Sequence, residues 1–159
     1  MSYTPMSDLG QQGLFDITRT LLQQPDLGSL SEALTRLVRQ SALADSAAIV
    51  LWHSASRRAS YFAPRDNGKS VEYEDETVLA NGPVRRILSR PDALHCNFDE
   101  FQQAWPQLAK SNLYSPFGHY CLLPLTVEGR IFGGCEFIRN TDQPWSEAEY
   151  ERLHTFTQI

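Results

Sequence analysis

Three features are scarce in this sequence: long apolar runs, cysteines and a secretory leader. No apolar run approaches the roughly 20 residues that a bilayer-spanning helix needs. The first residues, Met-Ser-Tyr-Thr-Pro, lack the basic segment and apolar stretch of a signal peptide. The three cysteines are irregularly placed, which predicts reduced thiols. We therefore expect a cytoplasmic protein that makes no contact with a membrane.

Clustered basic residues are also missing. The 14 Lys and Arg are scattered among 19 Asp and Glu, which gives a net charge of −5. Because neutralising phosphates requires clustered cations, direct nucleic-acid binding by this segment is not expected. The length of 159 residues predicts one domain, residues 1–159, with a sizeable core.

Catalytic motifs are absent as well. The sequence contains no Cys-x-x-Cys, Walker loop, Gly-x-Ser-x-Gly or His-Glu-x-x-His pattern. The four histidines are isolated, and the pairs His95-Cys96 and His119…Cys121 lack the second pair of ligands that a structural zinc site has. We therefore predict no catalytic residue, no metal and no cofactor.

The stretch from Tyr120 to Phe137 predicts the centre of the fold. Two apolar runs rich in strand-forming residues flank Glu128-Gly129, and glycine suits the positive φ of a tight turn. Both faces of the predicted hairpin are apolar, so we expect other elements to cover it on both sides.

A two-residue turn at Glu128-Gly129 also predicts the register of the hairpin. Val127 would face Arg130, and Leu123 would face Gly134. Cys121 and Cys135 would then lie on opposite faces of the sheet, which disfavours a disulfide between them.

Helices are predicted before and after this hairpin. An amphipathic helix is expected from Asp8 to Gln24, and a second one opens at a Ser29–Glu32 capping pair. The later helix starts, marked by proline or capping residues, are Gly82-Pro83, Asn97–Glu100 and Ser146–Glu149. The last helix is expected to run through Phe156 and, with no stop signal at Ile159, to continue in a longer protein.

Three further strands are predicted between the second helix and the helix that starts at Gly82-Pro83: Ala47 to Trp52, Arg58 to Ala63 and Val71 to Glu76. The resulting fold class is α+β. A central antiparallel sheet would have the N- and C-terminal helices on one face and lid-like helices and loops on the other.

Four basic residues are candidates for binding a small anion: His119, Arg85, Arg86 and Arg130. One fixed guanidinium or imidazolium, together with a backbone amide, would suit a carboxylate. Glu136, inside an apolar strand, needs a partner if it is buried. An arginine from the lid could supply that partner, and an exposed sheet edge is the alternative.

The segment Leu122 to Phe137, with its apolar-Pro-Leu strand, Gly turn and apolar-Gly strand, resembles the signature hairpin of GAF domains. Trp145 to Glu149 followed by Leu153 is similar to their final helix. The resemblance covers nearly the whole chain. It implies a GAF-like fold but no particular ligand, because this fold hosts many functions.

From Met1 to Ile159 the chain also resembles the N-terminus of a family of enterobacterial transcriptional activators that respond to formate. The resemblance implies two GAF domains, an AAA+ ATPase domain acting on sigma-N RNA polymerase, and a DNA-binding helix-turn-helix. Only the first GAF domain would be present here. Its implied partners are formate as a small-molecule effector, the other domains of the same chain, and further copies in a homo-oligomer.

Two other functions remain open. The domain could be a ligand-free module for dimerisation or docking through its first and last helices. It could also be an enzyme, since some GAF-like proteins reduce free methionine sulfoxide with pocket cysteines. Cys96, Cys121 and Cys135 motivate that alternative, but no activating cation lies near them in the sequence.

Overall fold

The computed structural model describes residues 27–53, 57–64, 70–75, 81–111, 113–127 and 129–157. The predicted helix from Asp8 to Gln24 lies outside these residues. The helices are α1 (Leu27–Gln40), α2 (Pro83–Ser89), α3 (Phe98–Ala104), α4 (Pro106–Ala109) and α5 (Glu147–Thr155). The strands are β1 (Ser46–His53), β2 (Arg58–Pro64), β3 (Ser70–Asp75), β4 (Leu94–Asn97), β5 (His119–Val127) and β6 (Arg130–Arg139).

The strands form one six-stranded antiparallel sheet in the order β3-β2-β1-β6-β5-β4. The predicted hairpin is confirmed as β5 and β6, and β1 pairs with the other edge of β6. The strand β4 was not predicted. It is only four residues long and pairs with the first half of β5, so it acquires its strand conformation from its neighbour rather than from its own sequence.

The register of the hairpin differs from the prediction by one residue. Val127 faces Arg130 as predicted, but the pairing shifts between Leu125 and Thr126 and leaves Phe132 as an extra residue in β6. Leu123 therefore faces Cys135, so the predicted pairing with Gly134 was wrong. Such a bulge places two residues of one strand opposite one of its partner.

Because of the bulge, the residues of β6 that follow it lie on the opposite side of the sheet from the one predicted. Cys135 and Phe137 join Cys121 in the core beneath the terminal helices, so the prediction that the two cysteines lie on opposite faces was wrong. Both remain free thiols. Glu136 turns instead toward the opposite face, where it is 1% exposed. A one-residue slip reverses every side chain that follows it, and the bulge has this effect here.

Two apolar layers cover the sheet, as predicted. The helical face is packed by α1 and α5 through the buried residues Ala33, Leu34, Val38, Leu153 and Phe156. The lid face is packed by α2, α3, α4 and the following loop through Val84, Ile87, Phe101, Leu108, Tyr114 and Phe117. We use the terms helical face and lid face for these two sides below.

Two of the predicted capping pairs are confirmed. Asn97 with Glu100 opens α3 and Ser146 with Glu149 opens α5, each with reciprocal side-chain to backbone bonds. The helix α3 ends at Ala104, and Trp105 separates it from Pro106, the first residue of α4, because proline cannot continue the helix before it.

Two helix limits differ from the predictions. The helix α1 begins at Leu27, so Ser29 lies within its first turn and is not its capping residue. The helix α5 ends at Thr155, and Phe156 follows it as the capping residue. Among the described helices, none is long and apolar enough to cross a bilayer.

Candidate functional site

The four predicted anion contacts do not meet in one place. Arg85 is exposed on α2 and donates to the Asn81 side-chain oxygen at 2.6 Å. Arg86 donates to the carbonyl of Arg90 at 2.9 Å, at the end of its own helix. Arg130 is exposed at the hairpin turn. Since α2 covers the lid face and His119 lies on the other, the arginines of α2 cannot share a ligand with His119; each binding role remains a prediction.

His119 lies in an open cleft of about 270 Å³ at the start of α5. The cleft is lined by His95, His119, Pro144, Trp145, Ser146, Glu147 and Tyr150. In the register of β4 with β5, Asn97 faces His119 and His95 faces Cys121, so both imidazoles point to the helical face. The pairing with β4 adds His95, which the sequence offered only as an isolated residue.

The two imidazoles are held differently. Nε2 of His119 donates to the carbonyl oxygen of Asp142 at 3.0 Å, because a carbonyl can only accept. His95 is exposed and packs edge-on against Tyr150, with ring centroids 5.6 Å apart. In the described part of the chain, no group of three histidine, cysteine or carboxylate side chains could hold a metal ion.

The lid face contains a buried carboxylate with three donors. Oε1 of Glu136 accepts from the Tyr61 hydroxyl at 2.8 Å. Oε2 accepts from the hydroxyls of Tyr114 at 2.6 Å and Tyr120 at 2.7 Å. The predicted partner, an arginine of the lid, was wrong, and so was the alternative of an exposed edge. Three tyrosines satisfy Glu136 instead, and the bulge in β6 is what turns it toward them.

Burial dominates the electrostatics of this cluster. Loss of solvent raises the pKa of Glu136, and the three phenol hydrogen bonds oppose that shift. The pKa values of Tyr114 and Tyr120 are raised well above the usual range by burial, with the Glu136 charge adding to the effect. The hydroxyls therefore stay protonated and act as donors.

The cysteines lack the properties of nucleophiles. Burial raises the pKa of Cys96 and of Cys121 to about 12, and it raises the pKa of Cys135 further. A thiol must be deprotonated to attack a sulfoxide or a disulfide, and activated cysteines have lowered pKa values. These three thiols pack as small apolar side chains.

A buried arginine ties the cleft to the sheet. Arg139, the last residue of β6, donates to the carbonyls of Leu43 at 3.1 Å and of Gln143 and Pro144 at 3.2 Å. It also donates to Glu149 of α5 at 2.7 Å. The sequence did not single out Arg139, because the arginine alone does not indicate which carbonyls converge on it.

The Glu149 carboxylate makes stability dependent on acidity. The hydrogen bond from Arg139 and the backbone bond at Ser146 lower the pKa of Glu149 to about 2. The folded state therefore binds this proton less readily than the unfolded chain, and stability should fall as the pH drops from about 4.5 toward 2. Urea unfolding at several pH values should show this loss.

The substitution Glu149→Gln provides the control, because it should flatten the pH dependence in that window. Glu136 does not confuse the result. Its folded pKa is raised, so its contribution is complete below the unfolded value of about 4.5 and declines only as the pH rises above it. A wild-type slope that persists in Glu149→Gln would contradict the assignment.

Comparison with solved structures identifies the fold as that of GAF domains. The GAF domain of an Acinetobacter phosphoenolpyruvate-protein phosphotransferase superposes with a TM-score of 0.68 at 15% identity, covering 98% of this chain and 90% of that one. A free methionine-R-sulfoxide reductase from Neisseria meningitidis, solved with its substrate, gives 0.62 at 12% identity, with coverages of 99% and 89%. No family model matches the chain.

Relatives of known identity show to which kind of protein this GAF fold belongs. The chain is 80% identical over all 159 residues to the formate hydrogenlyase transcriptional activator of Salmonella typhimurium and 70% identical to that of Escherichia coli K12. It is therefore homologous to the N-terminal region of these activators and spans 23% of their length. The expected resemblance and fold class are confirmed, and the homology is to part of an activator rather than to a reductase.

Proposed function

We propose that this chain is the first regulatory GAF domain of a cytoplasmic, formate-responsive transcriptional activator. The observation that supports this most strongly is the 80% identity, over all 159 residues of this chain, to part of a formate hydrogenlyase transcriptional activator. In this proposal the domain binds formate and biases a downstream AAA+ ATPase domain that acts on sigma-N RNA polymerase. A ligand can do so only if it binds two states of the domain with different affinity.

We place the effector in the cleft around His119. Because Nε2 of His119 is committed to the Asp142 carbonyl, a formate oxygen would accept from Nδ1 of the protonated ring. His95 lines the same cleft and offers a second imidazole. The hydrogen bonds of Arg139 connect this cleft to both the sheet and α5. Occupation of the cleft can therefore alter the position of the last helix.

Thermal unfolding of the 159-residue chain in formate tests the proposal. A ligand that binds only the folded state at about 100 times its Kd adds about 2.7 kcal/mol of stability. Sodium acetate and sodium chloride at equal ionic strength serve as controls for specificity. His119→Ala should abolish the formate effect, and Arg85→Ala, on the opposite face, should leave it intact.

Equal melting temperatures in formate and chloride would contradict formate binding by this domain. A formate effect that survives His119→Ala but disappears in Arg85→Ala would move the site to the lid face.

A docking module is the second candidate function, and one observation favours it. The lid face is filled by the domain's own aromatic rings and by Glu136, which needs no ligand to be satisfied. Sedimentation velocity at two protein concentrations would detect self-association. If the domain is a monomer and shows no formate response, docking onto the other domains of the same chain is the remaining function.

A further inference from the structure

The Glu136 carboxylate is held as a bound ligand would be held. Its three donors come from separate parts of the chain: Tyr61 from β2, Tyr114 from the loop after α4, and Tyr120 from β5. Each donor is a neutral hydroxyl with a hydrogen-bond length of 2.6–2.8 Å. Hydroxyl bonds to an ionised oxygen are short, about 2.5–2.7 Å, and the bonds from Tyr114 and Tyr120 have such lengths. The bond from Tyr61 has the length of an ordinary hydroxyl hydrogen bond.

Aromatic rings close the space around this carboxylate. Phe101 contacts the rings of both Tyr114 and Tyr120 at centroid distances of 5.1 Å. Phe117 packs on Phe101 at 5.3 Å and on Tyr120 at 5.8 Å. The three hydroxyls are thus arranged around one carboxyl group in an otherwise apolar interior, where an unpartnered polar group is costly.

We propose that the lid-face interior is a binding site for a small carboxylate that the chain occupies with its own Glu136. Beyond its Cβ atom, glutamate is equivalent to acetate, a methylene joined to a carboxylate. A tethered group outcompetes a free one because its effective concentration is high. Free formate and acetate are therefore excluded from this site in the intact domain, and the lid closes without a ligand.

Removing the tethered carboxylate should make the site available to a free one. Glu136→Ala deletes the acetate-sized part of the side chain and leaves the three tyrosine donors in place. At about five times its Kd, acetate should raise the melting temperature of this variant by about 2–4 °C more than chloride does. Formate, one methyl smaller, should act more weakly, and propionate should be too large.

The isosteric substitution Glu136→Gln is the matched control, since it leaves no space and should gain no acetate response. The double variant Glu136→Ala, Tyr114→Phe should bind acetate more weakly than Glu136→Ala, because one donor is lost. If Glu136→Ala is unfolded in chloride, refolding in acetate monitored by circular dichroism supports the proposal. Failure to refold in acetate contradicts it.

Equal melting temperatures of folded Glu136→Ala in acetate and chloride would overturn the proposal, as would an acetate response of the same size in the wild type. This test is independent of formate binding at His119. The formate test uses the wild type and His119→Ala, whereas the acetate test uses Glu136→Ala. The result of the first does not change the acetate response expected in the second, so either proposal can fail alone.

Discussion

Replacing Phe101 by alanine should destabilise the domain by about 3–5 kcal/mol, the typical cost of removing a fully buried phenylalanine. Phe101 is 0% exposed, and its ring contacts Trp105 and Phe117 at centroid distances of 5.3 Å. It also contacts two of the three tyrosines that donate to Glu136, Tyr114 and Tyr120. The substitution removes the ring that holds the lid against the sheet. Urea unfolding at 25 °C measures the change.

The control for this prediction is Phe132→Ala in the β6 bulge. Phe132 is 38% exposed, so its loss should cost much less than that of Phe101. Similar costs for the two variants would show that the lid-face cluster does not stabilise the fold as described.

Arg139→Leu is expected to cost about 3 kcal/mol. The substitution removes one of the two side-chain donors of the buried Leu43 carbonyl, the other being Nε1 of Trp145. It also removes the bonds to Gln143, Pro144 and Glu149. A hydrogen bond contributes about 1 kcal/mol and one made by a charged group somewhat more, so losing four bonds of a buried arginine accounts for a cost of this size. Equilibrium unfolding in urea again measures the effect.

Arg152→Leu is the matched variant, because Arg152 is exposed on α5 and the same charge is removed. It should change stability by no more than about 0.5 kcal/mol. Glu149→Gln should fall between the two, since an ion pair that is partly exposed contributes little. A loss of stability in Arg152→Leu as large as in Arg139→Leu would attribute the effect to net charge rather than to the bonds from Arg139 to the three carbonyls.

The fold was predictable where a local pattern specifies a local structure. The apolar runs around Glu128-Gly129 predicted the central hairpin, and the capping pairs at Asn97 and Ser146 predicted two helix starts. Each of these signals lies within a few residues and depends on backbone chemistry that tertiary contacts did not override.

The bulge at Phe132 was not predictable in the same way. It occurs next to Gly133, where a Cβ atom would collide with the Val50 carbonyl of β1. That contact depends on a strand about 80 residues earlier in the chain, so the hairpin sequence alone does not reveal it. The error in register then placed Cys135 on the wrong face of the sheet.

The candidate site was predicted only in part. His119 was chosen for its position before the hairpin, and the structure places it in a cleft. The second imidazole depends on the strand β4, and the three tyrosines reach Glu136 from 16 to 75 residues away. These contacts depend on how distant segments of the chain come together in the fold. No local sequence pattern indicates that arrangement.

We propose that formate binds on the helical face and that Glu136 already occupies the lid face. One measurement tests both: a formate titration of the isotopically labelled 159-residue chain followed by NMR. We expect saturable shifts for His95, His119 and Tyr150, with the ring signals of Tyr61, Tyr114 and Tyr120 unchanged. Saturable shifts of those three tyrosines, with the cleft unaffected, would contradict this expectation.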